Sequence, residues 1–159
     1  MNHRLLPVFL LALTTLAARA EIKLPALFSD GMVFQQGRPV PVWGSAGPDE
    51  DVTVVFAGQT QVTRADLDGR WRVTLDPLLV SAQPAELTVS GNGTVVVKDI
   101  LVGEVWLCSG QSNMQWTVAQ SANPEQETAA AKYPQIRMFS VERATAMTPA
   151  RDVAGAWKT

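Results

Sequence analysis

The chain has 159 residues, 47% of them hydrophobic and 18% charged, a balance that excludes a disordered polyelectrolyte and allows a packed core. A formal net charge of −2 with no block of like charge excludes a surface built for nucleic acid, and a single cysteine, Cys108, excludes a disulfide within the chain. There is no histidine cluster, CxxC pair or phosphate-binding glycine loop, so neither a metal nor an organic cofactor is expected.

Residues 1–20 read as an export signal: His3 and Arg4 precede the apolar run 5–16, and the stretch ends Ala18-Arg19-Ala20. Cleavage after Ala20 is expected, with an uncleaved anchor as the alternative, and the run is shorter than the roughly 20 apolar residues that span a bilayer. The mature protein is thus expected to be exported, periplasmic or extracellular, and free of the membrane. Cleavage removes Arg4 and Arg19 but no acid, moving the net charge from −2 to −4, and it removes His3, the one imidazole.

Residues 21–99 carry short β-rich runs separated by turn residues, the spacing of an antiparallel sandwich or jelly roll. The run 40–43 belongs at a sheet edge, because Pro39 and Pro41 cannot donate to a ladder. In the turn that follows, Asp49-Glu50-Asp51 reads as a solvated cluster, since calcium needs more oxygen ligands at regular spacing. Runs 52–56 and 59–63 flank Ala57-Gly58 as a hairpin. Asp68-Gly69 turns the chain into 71–75, where Trp71, Val73 and Leu75 alternate with Arg72 and Thr74, predicting one buried and one wet face. Runs 86–90 and 94–98 flank a further turn, Gly91-Asn92-Gly93.

The pattern changes at Ile100. The nearly continuous apolar run 100–108 predicts a strand buried on both faces, as in a parallel sheet covered by helices, with Cys108 as a small buried hydrophobe. Pro124-Glu125-Gln126-Glu127 opens a predicted helix over 124–131, stopped by Tyr133-Pro134, and 136–141 alternates as a second strand. Together these predict the start of an α/β domain over residues 100–159. Only about sixty residues are available for it where a domain usually needs 100 or more, so the chain is expected to be truncated after Thr159.

At the carboxyl end of the first of these strands lies Cys108-Ser109-Gly110-Gln111-Ser112-Asn113-Met114-Gln115. Ser112, in a turn entering a helix, has the placement of a nucleophile whose own amide helps hold an oxyanion, and Gly110 admits a close backbone approach. Ser112 and Gln115 equally match the Ser-x-x-Gln capping box, which spacing alone favours. The Gly-x-Ser-x-Gly elbow is absent.

The block Gly103-Glu104-Val105-Trp106-Leu107-Cys108-Ser109-Gly110-Gln111-Ser112-Asn113-Met114 resembles the nucleophile block of the sialate O-acetylesterase family, a branch of the SGNH hydrolases. Leu27-Phe28-Ser29-Asp30-Gly31-Met32-Val33-Phe34-Gln35-Gln36, Arg38-Pro39-Val40-Pro41-Val42-Trp43-Gly44 and Tyr133-Pro134-Gln135-Ile136-Arg137-Met138-Phe139 are similar to further parts of that family. The resemblance implies a β-rich amino-terminal domain followed by a flavodoxin-like SGNH hydrolase domain. It also implies hydrolysis of acetyl esters on a sugar such as sialic acid, through an acetyl-enzyme on Ser112. Gly110, Gln111 and Asn113 then shape the substrate turn. The Asp-x-x-His base of the family has no counterpart here, since residues 113–159 contain no histidine. Two other readings stand beside it. One is an acetyl esterase acting on plant polysaccharide such as xylan. The other is a secreted carbohydrate-binding sandwich that uses Trp43, Trp71, Trp106 or Trp116; Trp71 and Trp106 are expected in the core and Trp116 near a ligand.

Overall fold

The computed structural model describes residues 21–158; the expected export signal lies outside the described residues. Strands β1 (Val33–Gln35), β2 (Val40–Ser45), β3 (Asp51–Phe56), β4 (Gln59–Arg64), β5 (Arg70–Leu75), β6 (Ser81–Gly91) and β7 (Gly93–Gly103) form two layers. One is a five-stranded sheet in the order β1-β7-β6-β3-β4, and the other is the antiparallel pair β2-β5. All neighbours are antiparallel except β1 and β7.

The hydrophobic alternation sets the layers. In β5 Trp71, Val73 and Leu75 are buried while Arg70, Arg72 and Thr74 are exposed, and in β3 Val52, Val54 and Phe56 face inward. Leu87, Val89 and Ile100 meet them from β6 and β7. Phe34 and Phe56 pack edge-on at 4.9 Å, and Phe28 meets Trp43 at 4.7 Å. Turn chemistry pins the register: Ala57 and Gly58 take φ of 48° and 78° between β3 and β4, as a tight primed turn requires. Asp66 accepts from the amides of Asp68 and Arg70 at 2.9 and 2.8 Å, closing the turn into β5. Among the named strands the proline-bearing β2 pairs only with β5, its other edge carrying just the Ser45–Lys23 bridge, as an edge strand should.

The run 100–108 departs from expectation. It is no strand of a parallel sheet between helices: β7 ends at Gly103, with β6 antiparallel on one side and β1 parallel on the other. A bulge precedes the apolar run. Leu87 pairs with Val97 and Ala85 with Ile100, leaving one extra residue on β7, and Asp99 absorbs it at φ 56°. Past the bulge Ile100 and Val102 join the core cluster while Leu101 is buried outside it, so this short stretch is covered on both faces within a mostly antiparallel sheet. Glu104 to Cys108 then leaves the sheet, so Cys108 and Trp106 are exposed rather than buried.

Beyond it, helix α1 (Pro124–Ala130) forms with proline and two glutamates in its first turn. The second expected strand forms as β8 (Met138–Val141), but its partner is β9 (Gly155–Lys158), in a separate antiparallel hairpin. Both edges of β7 are already occupied, so no strand–helix–strand unit with β8 is built from it. The hairpin is fastened to the sandwich instead. Trp157 Nε1 donates to the Leu27 carbonyl at 2.9 Å, the Asp152 carboxylate accepts the Ala26 amide at 3.1 Å, and Arg137 forks onto Asp99. No helix among the described residues is long and apolar enough to cross a membrane.

Candidate active site

The site begins where the chain leaves the sandwich. The end of β1 clamps that exit: the Gln36 amide donates to the Gly103 carbonyl at 2.9 Å, and the Val105 amide donates to Gln35 Oε1 at 2.9 Å. Glu104 receives Gln36 Nε2 at 2.6 Å and Gln35 Nε2 at 3.3 Å. These hydrogen bonds, Gln36 first and then Gln35, favour the ionised carboxylate and hold the Glu104 acid below its ordinary range. The clamp joins two segments almost seventy residues apart. Composition alone did not reveal it, although Gln35-Gln36 beside an apolar strand end was the available signal.

Seven residues after the clamp, Ser112 opens a short 3₁₀ helix, Ser112–Gln115, with Gln111 at the cap position. The amide of Met114 bonds back to the Gln111 carbonyl at 2.9 Å and that of Trp116 to the Asn113 carbonyl at 3.1 Å. Since Gln111 holds the cap without a side-chain bond, the expected alternative of a Ser112–Gln115 capping box is not formed. The capping pair lies one turn later, where Gln120 Oε1 accepts the Thr117 amide at 3.0 Å. The Ser112 hydroxyl is therefore exposed, with no hydrogen-bond partner among the described residues, and its amide sits unpaired in the first turn.

The structure brings Gly110, Gln111 and Asn113 around Ser112 in one exposed turn. At Gly110 a Cβ would stand 2.8 Å from Met114 Cγ, so any side chain there displaces the methionine that covers the turn. Trp116 is near in sequence, but its indole N–H is engaged by the Gln120 carbonyl at 2.7 Å. No imidazole accompanies the serine, the one histidine being His3, and no cluster of metal-ligating side chains occurs among the described residues. Among the described residues the Ser112 hydroxyl is bonded to no proton acceptor. Of the remaining tryptophans, Trp71 is buried, Trp43 packs against the core, and Trp106 stands out at 83% exposure.

Comparison with known proteins supplies the rest of the context. No family model matches the chain. Sialate O-acetylesterase of Mus musculus is 37% identical over 73% of this chain and 24% of its own length. The Rattus norvegicus protein of the same name is 34% identical over 82% of this chain and 26% of its own. The crystal structure of a carbohydrate acetylesterase from Xanthomonas citri is 38% identical with a TM-score of 0.81, covering 87% of this chain and 32% of that one. The chain thus spans about a quarter of the curated relatives it matches and about a third of the solved structure. Over that span, in sequence and in fold, it belongs to the sialate O-acetylesterase-like family.

Proposed function

We propose that the chain is the nucleophile-bearing front part of a carbohydrate O-acetylesterase, met by its acetylated glycan outside the cytoplasm. The observation that carries this reading is the uncommitted Ser112 hydroxyl, exposed at the first position of a helical turn whose amide is also unpaired. The names of the relatives support an acetylated carbohydrate as substrate.

In the reaction Ser112 Oγ attacks the acetyl carbonyl while its proton passes to a base, and the sugar alcohol departs with that proton. Water then attacks the acetyl-serine, releasing acetate and restoring the hydroxyl. The Ser112 amide is placed to meet the oxyanion of each tetrahedral intermediate. The base must come from residues other than these, because the mature chain has no imidazole. Residues 104–159 then form the opening of an SGNH domain completed by further polypeptide. The exposure of Trp106, Leu107, Met114, Trp116 and Ile136 supports this, as such a surface is costly in water.

The test uses two proteins. The 159-residue chain alone should hydrolyse p-nitrophenyl acetate no faster than its Ser112→Ala variant. Fused to the remaining two thirds of the Xanthomonas citri acetylesterase, it should release acetate from acetylated sugar. Ser112→Ala in the fusion should then lose at least about 10³-fold in kcat, as removal of a triad member does. A fusion whose activity survives Ser112→Ala would end the proposal.

A further inference from the structure

We propose that the junction between the β8–β9 hairpin and the sandwich is a binding subsite for a neutral sugar ring, separate from the Ser112 turn. Asp30, Gly31, Asp99, Trp157 and Lys158 line an open hollow of about 480 Å³ there, within the size range of small-ligand sites. None of the residues 110–113 belongs to it.

The lining chemistry selects the ligand class. Trp157 is held in place from behind: its Nε1 donates to the Leu27 carbonyl at 2.9 Å, Phe139 lies against it at 5.4 Å, and part of the ring packs on the core. Trp157 lines the hollow as a fixed apolar wall, its Cβ toward Gly31, of the kind that receives the C–H groups of a pyranose. Each carboxylate has one oxygen engaged in the fold. Asp30 Oδ1 accepts the Lys98 amide at 2.7 Å and Asp99 Oδ1 accepts Arg137 Nη2 at 2.9 Å, which orients both groups and leaves each Oδ2 as an acceptor for hydroxyls. Lys158 has no ion-pair partner among the described residues and supplies a donor. Gly31 keeps the floor low: at φ 83° it favours glycine, and a Cβ there would meet Trp157 and Arg137 at 3.7 and 3.8 Å.

Charge argues against an ion. The two carboxylates are matched by Arg137 and Lys158, so the hollow offers no net field to an anion, and the described residues include no group of three cation ligands. A fixed apolar wall, two oriented acceptors and one donor around a charge-balanced hollow fit a hydroxylated, uncharged ligand.

The test is a titration of the 159-residue chain, carrying Ser112→Ala so that its outcome is independent of the esterase reading, with methyl β-D-xylopyranoside followed by indole N–H resonances. Trp157→Phe assigns the Trp157 signal. The expected result is a saturable shift confined to that indole with a millimolar dissociation constant. Lys158→Ala, an exposed position whose loss leaves the fold intact, should weaken it about fivefold, the effect of one lost hydrogen bond. A flat titration at the highest soluble sugar concentration, a shift centred on Trp106 or Trp116, or no effect of Lys158→Ala would each overturn the proposal.

Discussion

The Arg137–Asp99 pair should respond asymmetrically to removal of its two members. Arg137 Nη2 donates to Asp99 Oδ1 at 2.9 Å and Nη1 to the Asp99 carbonyl; the arginine side chain is 6% exposed, the aspartate 46%. Arg137→Met keeps the apolar stem and frees a carboxylate that water already half reaches, so its cost should be about 1 kcal/mol. It also removes a buried Nε–H that has no partner among the described residues, which offsets part of that loss. Asp99→Gly strands a buried guanidinium with one carbonyl for company, a cost of about 3 kcal/mol. Glycine is the appropriate replacement, because the φ of 56° at this bulge strains alanine. The difference of about 2 kcal/mol should appear in urea denaturation followed by tryptophan fluorescence. Amide exchange should localise the loss to Phe139 and Trp157 while Val73 in the core keeps its protection. If Arg137→Met costs as much as Asp99→Gly, the pair is not desolvated as the structure indicates and the reasoning fails.

The clamp on Glu104 predicts a pH dependence. Its folded pKa is lowered, chiefly by the hydrogen bond from Gln36, so its contribution is present above the ordinary carboxylate value and fades as pH falls through the folded value. Amide exchange at Val105 should therefore accelerate below about pH 4, and Glu104→Gln should remove that step; an unchanged profile in the variant would reject the assignment. In the core, Phe56, 1% exposed and edge-on to Phe34, should cost about 3–5 kcal/mol on truncation to alanine, read from the same urea transitions. A loss under ~1 kcal/mol would mean the two sheets repack around the gap.

The sandwich was legible because its signals are local. Alternation in β5, the Ala57-Gly58 turn and the prolines before and within β2, Pro39 and Pro41, each follow from neighbouring residues, and each is realised in the structure. The run 100–108 misled in its length and its sheet. Residues 100–102 are covered on both faces, but in a mostly antiparallel sheet, and the apolar letters 105–108 continue after the strand has ended at Gly103, which only the pairing across β6 and β1 reveals. Cys108 and Trp106 were placed inside by the same inference and lie outside for the same reason. In the candidate site, Ser112 and its turn were visible in sequence. The Gln35–Gln36 clamp, the Arg137 fork and Trp157 were not, since each joins positions between 38 and 130 residues apart.

The clamp and the Trp157 bond share an origin, and it bears on how the serine turn is held. Ala26, Leu27, Asp30, Gln35 and Gln36 lie in one short segment at the entry to the sandwich. Ala26 and Leu27 bond to the loop and strand around β9, Asp30 to β7 beside the bulge, and the glutamines to the exit that leads to Ser112. A turn with no buried residue of its own cannot order itself by packing, so its position is inherited from the points where the chain enters and returns. The sandwich is in that sense the template on which the serine loop is laid. Loosening either the Gln36–Glu104 bond or the Arg137–Asp99 fork should then widen the motion of residues 105–115 before it lowers the stability of the β-layers, an order that exchange protection of Met114 and Val73 measured together would reveal.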